Sequence, residues 1–229
     1  MRIGGLQKMT LLDYPGKVAC TVFLPGCNFR GPYCHNSALV LPEQLEEGFP
    51  QEQLLEFLSK RRGKLDGVCI TGGEPTVHRD LPELIREIRQ LGFLLKLDTN
   101  GSNPRMLRTL LEGNQLDYVA MDIKNSPQMY AATCGNSSVL EAVEESIRLL
   151  MEGSVDFEFR TTVCKPLHTP ESMAQLGQWI QGTKKYFIQN FEDSGSLVGS
   201  GMESFDRQEL ERLLAAVKKY VPGAQLRGT

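Results

Sequence analysis

The sequence predicts an α/β fold built on a parallel sheet, and three observations lead there. Apolar runs of strand length alternate with stretches of helical spacing along the 229 residues. The connections between them are short, and glycines and acids collect where several of the apolar runs end. Strand–helix alternation with short connections implies parallel strands joined by right-handed crossovers.

The candidate strands are 17–25, 66–71, 93–99, 116–123, 155–163 and 185–191. After the second, Leu81, Leu84, Ile85, Ile88 and Leu91 step by three and four, which is one face of a helix. Asp80 is its expected cap, with Glu83 completing a capping box. The next helix opens near Pro104 and stops at Gly113. Another carries Val143, Ile147 and Leu150, with Glu141, Glu144 and Glu145 early, where the helix dipole favours acids. The last puts Leu210, Leu213, Leu214 and Val217 on one side. Six strand–helix units are too few for a closed eight-stranded barrel and suit an open partial one; an open doubly wound sheet is the rival. Either way, the working site falls at the C-terminal ends of the strands. No repeat or linker interrupts the pattern, so residues 1–229 read as a single domain.

Composition narrows the function. Lys plus Arg number 25 against 28 Asp plus Glu, and a net charge of -3 leaves no electrostatic footprint for nucleic acid. No apolar run approaches the roughly 18 residues that cross a bilayer, and MRIGGLQKMTLLDYPG lacks the apolar stretch of a signal peptide. A cytoplasmic location is therefore expected, away from membranes, with thiols kept reduced. The six cysteines (Cys20, Cys27, Cys34, Cys69, Cys134 and Cys164) then read as core residues or metal ligands rather than a disulfide framework.

Candidate site residues gather in the loops that follow the strands. The first strand runs into Leu24-Pro25-Gly26-Cys27-Asn28-Phe29-Arg30-Gly31-Pro32-Tyr33-Cys34-His35-Asn36. Two cysteines in a Gly/Pro loop can present thiolates to a metal, or be one buried and one incidental thiol; the spacing alone leaves both open. The second strand ends in Thr71-Gly72-Gly73-Glu74-Pro75, which is first of all a tight turn. Its glycines can equally let a ligand approach the backbone. Strands three and four end in Leu97-Asp98-Thr99-Asn100-Gly101 and Met121-Asp122-Ile123-Lys124. These acids are either solvated strand ends or a pair aimed into one site. On the fifth, Arg160 reads as a paired surface charge, and His78 and His168 as surface groups.

The cysteine loop resembles the CxxxCxxC signature of radical S-adenosylmethionine (SAM) enzymes. LDYPGKVACTVFLPGCNFR and PYCHN resemble the glycyl-radical-enzyme activases of that family. The resemblance covers about residues 9–192, with its best motifs in the first 125. It implies a single-domain partial (β/α)6 barrel of the radical SAM type. It also implies a [4Fe-4S] cluster on three thiolates, with SAM chelating the open iron and being cleaved reductively to a 5′-deoxyadenosyl radical. Carried over by position, Cys27 and Cys34 are cluster ligands and Lys124 is a catalytic residue near SAM or substrate. Tyr33, Gly72, Gly73 and Glu74 are cofactor-binding, the glycines taking SAM's amino group. Asp98, Thr99, Met121 and Asp122 surround a monovalent cation beside the SAM carboxylate. Arg160 contacts SAM, and Gln189-Asn190-Phe191 lies by the adenine.

One position departs from the pattern. The middle cysteine would fall at 31, where the chain has Gly31. The chain is then a substituted form of a cluster-bearing protein, a cluster-poor relative, or one in which another group completes the cluster. Of the candidates for that group, His35 would have to turn inward, Cys20 lies deep in a strand, and nothing aims Cys69 at the loop. Labile or substoichiometric iron is expected, restored by a cysteine at 31. Some activases carry an inserted cysteine-rich segment, and between 35 and 120 this chain has no such cluster. The resemblance therefore implies the simpler type, which generates a glycyl radical on anaerobic ribonucleoside-triphosphate reductase with electrons from a donor such as flavodoxin or ferredoxin. The alternatives are a radical SAM enzyme acting on a small molecule and a cluster-deficient, non-catalytic relative.

Overall fold

The computed structural model describes residues 1–34, 37–40, 48–193, 195 and 197–228. The elements run β1 (Arg2–Ile3), β2 (Gly5–Thr10), β3 (Ala19–Leu24), α1 (Ser37–Val40), β4 (Phe49–Pro50), α2 (Gln51–Ser59), β5 (Gly67–Gly72) and α3 (Leu81–Gln90). Then come β6 (Leu94–Thr99), α4 (Pro104–Glu112), β7 (Tyr118–Asp122), α5 (Tyr130–Cys134), α6 (Leu140–Glu152) and β8 (Asp156–Val163). The chain closes with α7 (Pro170–Trp179), β9 (Tyr186–Asn190), α8 (Arg207–Lys218) and β10 (Gln225–Arg227).

Among the described residues, eight strands form one sheet in the order β10-β9-β8-β7-β6-β5-β3-β2. All neighbours from β3 to β10 are parallel, and β2 closes one edge antiparallel to β3. The six expected strands are therefore present in sequence order, and β10 adds a seventh parallel member. The sheet stays open between β2 and β10.

Alternation along the strands gives the sheet two unlike faces. Val22, Val68, Ile70, Leu95, Leu97, Val119, Met121 and Phe159 face the helices, packing with Leu81, Leu84, Ile85 and Ile88 of α3 and Leu210, Leu213 and Val217 of α8. The opposite face carries Thr21, Cys69, Lys96, Asp98, Asp122, Glu158 and Arg160, a polar lining for the concave side. The apolar core thus lies outside the sheet.

Helix ends are set by local chemistry. Asn103 Oδ1 accepts from the Met106 amide and Gly113 ends α4, as expected. Thr169 with Ser172, and Asp206 with Glu209, form capping boxes on α7 and α8. The box expected at Asp80 does not form. Its backbone has turn geometry (φ -85°, ψ 0°) rather than the extended geometry of a side-chain cap, and the Glu83 and Leu84 amides bond to its carbonyl instead.

Candidate active site

A cavity of about 320 Å³ opens at the C-terminal ends of the strands. Cys27, Tyr33, Cys34, Gly72, Gly73, Glu74, Asp98, Thr99, Asp122, Lys124 and Arg160 all line it, as do Gly31 and Gln189. Residues drawn from many loops and strand ends thus converge. The exceptions are few. Met121 turns to the helix side, where it is fully buried in the core. Asn190 is tied to the Phe205 backbone, and Phe191 packs with Tyr33 and Cys164. His35 lies outside the described residues.

The Gly72-Gly73 turn is shaped by the cysteine loop. A Cβ on Gly72, whose φ is +125°, would stand 2.2 Å from the Leu24 carbonyl oxygen, and one on Gly73 would stand 2.0 Å from that of Gly26. The Gly73 amide donates to Leu24 O at 2.9 Å and the Glu74 amide to Gly26 O at 2.8 Å. The glycines therefore allow two backbones to touch, which seats Cys27 against the turn. Glu74, although on the cavity wall, is fully buried and committed to the protein. It accepts from the Thr76 amide and hydroxyl, the Thr99 hydroxyl and the Asn100 amide, at 2.5–3.0 Å. Burial raises its pKa against those four donors. Its part is to clamp the β5 turn to the end of β6.

Asp98 and Asp122 do come together, but with cations already between them. Arg160 Nε donates to Asp122 at 2.5 Å and its Nη2 to Asp98 at 3.0 Å. Lys124 Nζ donates to Asp122 at 2.9 Å, and Lys96 pairs with Asp98. Asp98 is in register with Ala120 on β7, small enough to let the guanidinium reach across. Burial alone would raise the Asp122 carboxyl, yet Arg160 and Lys124 hold it well below the usual carboxylate range. Side-chain cations thus already pair both acids where the resemblance placed a monovalent cation, and Arg160 is a part-buried bridge between them rather than a surface pair.

His168 is also buried, at 3% exposure, contrary to expectation. Its Nδ1 accepts from the Cys164 amide at 3.1 Å, which leaves Nε2 to donate to the Lys124 carbonyl at 2.8 Å. His78, half-buried, bonds through Nε2 to the Pro25 carbonyl at 2.7 Å and so supports the cysteine loop.

The cysteines divide by place. Burial pushes the Cys27 thiol up to about 11, and its sulfur accepts from the Phe29 amide at 3.3 Å. Cys20 sits in the core, Cys69 beside Lys96 and Asp98, and Cys164 against His168 and Met202. Cys134, at the end of α5, lines the same cavity as Cys27 and Cys34. Sequence spacing could not find it, because it lies far along the chain and in no motif. A cysteine at 31 would require the Thr133 carbonyl to shift, because a Cβ there would stand 2.8 Å from its oxygen. Among the described residues, no three His, Cys, Asp or Glu side chains close on a single metal ion. An iron–sulfur cluster spreads its thiolates around several irons and asks for cavity walls rather than one point. Cys27 and Cys34 stand on those walls and could hold iron, whereas Gly31 has no side chain to offer.

Thiols, a glycine turn and part-buried cations at the open ends of parallel strands mark an α/β-barrel enzyme that works on ligands at its mouth. Residues 21–180 match the Radical SAM superfamily, and the chain belongs to it. Membership implies a [4Fe-4S] cluster and SAM. A Methanocaldococcus jannaschii protein, provisionally named a glycyl-radical enzyme activating enzyme, is 29% identical over 235 residues, covering 98% of this chain and 95% of that one. A 7-carboxy-7-deazaguanine synthase of Neisseria meningitidis is 35% identical over 141 residues, covering 61% of this chain and 57% of the synthase. Streptococcus suis SuiB bound to S-adenosylmethionine shares the fold with a TM-score of 0.69 at 15% identity. That match covers 91% of this chain and 52% of SuiB, so the chain spans about half of SuiB's length.

Proposed function

We propose that this chain is a glycyl-radical-enzyme activase whose partner is an anaerobic ribonucleoside-triphosphate reductase. The observation that carries the reading is the end-to-end likeness to the provisional M. jannaschii activase, 98% of one chain against 95% of the other. The likeness to the deazaguanine synthase stops at 61% of this chain. When bound, the cluster and SAM supply the reductive radical chemistry. The protein's own residues bind and orient. Cys27 and Cys34 would hold iron. Arg160 and Lys124, fixed by Asp98 and Asp122, offer positive charge on the cavity wall to the SAM carboxylate without reorganising. Glu74 holds the turn that carries Gly72 and Gly73. The open sheet suits a partner that inserts a flexible glycine loop, and a net charge of -3 suits a brief encounter without strong steering. Flavodoxin or ferredoxin is the proposed electron donor.

The test is an anaerobic mixture of the chain, SAM, a reductant and the reductase, read by electron paramagnetic resonance. A glycyl-radical doublet on the reductase is expected. A doublet only with another glycyl-radical enzyme would change the partner. SAM cleavage with no protein radical on any such enzyme would favour a small-molecule substrate instead.

A further inference from the structure

We infer that Cys134 supplies the third cluster thiolate, in place of the missing side chain at position 31; the inference rests on the reading of this cavity as a cluster site. Three observations carry it. The first is shared space, since Cys134 lines the cavity with Cys27 and Cys34 while Cys20, Cys69 and Cys164 do not. The second is adjacency to the break. A Cβ built on Gly31 would stand 3.8 Å from the Cys134 Cα, and the Thr133 carbonyl occupies the room that a side chain at 31 would need. The last turn of α5 therefore fills the place from which the motif's middle cysteine would project, and it brings a cysteine with it.

That turn is also fastened to the loop. The Arg30 amide donates to the Cys134 carbonyl at 2.9 Å, and Asn136 Nδ2 donates to Asn28 O at 3.4 Å. Gly135, at φ +70°, lies so close that a Cβ would stand 2.7 Å from the Arg30 carbonyl oxygen. Asn125 and the Met129 carbonyl hold Thr133 from behind. The third observation is the Tyr33 hydroxyl. Tyr33 lines this cavity and is 5% exposed, and among the described residues its buried hydroxyl has no hydrogen-bond partner, a state that a polar group reaching it from the cavity would relieve.

In binding, Cys134 gives up its thiol proton and its hydrogen bond to the Asn136 carbonyl, now 3.2 Å long. The proton passes to solvent, the sulfur pair goes to iron, and no electron changes hands.

The experiment is anaerobic reconstitution of the full chain with ferrous iron and sulfide. Iron and acid-labile sulfide per chain are measured, together with the paramagnetic spectrum after reduction. The unaltered chain should take up about four irons. Cys134→Ala should lower retention under a chelator at least about tenfold, because losing a direct ligand exceeds the 10–100-fold cost of losing an outer partner. Cys134→Ser, which keeps the size and the Asn136 contact, should fall with it, and circular dichroism of the iron-free proteins should show both folded. Cys164→Ala, which removes a thiol outside the cavity, should keep the iron. If Cys27→Ala and Cys34→Ala lose iron while both Cys134 variants keep it, the inference falls and the cluster reading stands. If the unaltered chain takes up no iron, or all four of these variants retain it, both fall together.

Discussion

At position 31 the physical question is one of space. An alanine there needs the Thr133 carbonyl to move, because its Cβ would lie 2.8 Å away. Gly31→Ala should therefore lower the stability of the iron-free chain by about 1–3 kcal/mol, the usual cost of overpacking, measured by urea unfolding. Unchanged stability would show that α5 yields freely. Arg160 poses the opposite problem, for it neutralises two carboxylates with side-chain exposures of 11% and 29%. Arg160→Met should cost about 1–3 kcal/mol, between the values for an exposed and a fully buried pair, because Lys96 and Lys124 remain. The Asp122 carboxyl is held below its usual range, so its contribution is present above about pH 3.8 and lost as pH falls further. His168 acts in a higher window. Burial lowers its pKa from 6.5, and protonation would set an N–H at Nδ1 against the Cys164 amide. Unfolding free energy should therefore fall as pH drops below about 6.5, and His168→Asn should flatten that slope. A slope unchanged in the variant would exclude this histidine. Neither histidine's burial was legible in sequence, because the carbonyls that satisfy them, at Pro25 and Lys124, belong to other loops.

Among the elements, α5 is a single short turn that bears directly on the cysteine loop. Its final residues touch the cysteine loop through Gly135, whose left-handed backbone and close approach to Arg30 both require glycine. Gly135→Ala should loosen that seat, speeding hydrogen exchange at the Arg30 amide by at least about tenfold if the opening free energy drops by 1.4 kcal/mol or more. Protection that survives the substitution would mean that the loop holds itself. Strands β3 and β5 to β9 and helices α3, α4, α6 and α8 were readable, because each buries a face long enough to impose its period on the sequence. The edges were not. β2, Gly5–Thr10, has exposed Gln7, Lys8 and Met9, and β10 is three residues long; each is a strand because a neighbour supplies its hydrogen bonds. The Asp80 cap failed for a related reason, since a capping pattern fixes residue types but not the turn that precedes the helix.

For the molecule as a whole, the site was legible wherever a motif marks the end of a strand, as at Cys27, Gly72, Asp98 and Asp122. It was illegible where contact depends on chain segments remote in sequence, as at Cys134. The same separation runs through the architecture. What folds the chain packs between the outer face of the sheet and the helices, whereas the inner face is lined by Lys96, Asp98, Asp122, Glu158 and Arg160. Selection can therefore act on the two faces almost independently. A change of substrate rewrites the lumen without disturbing the apolar layer behind it, and a stabilising change in that layer leaves the chemistry untouched.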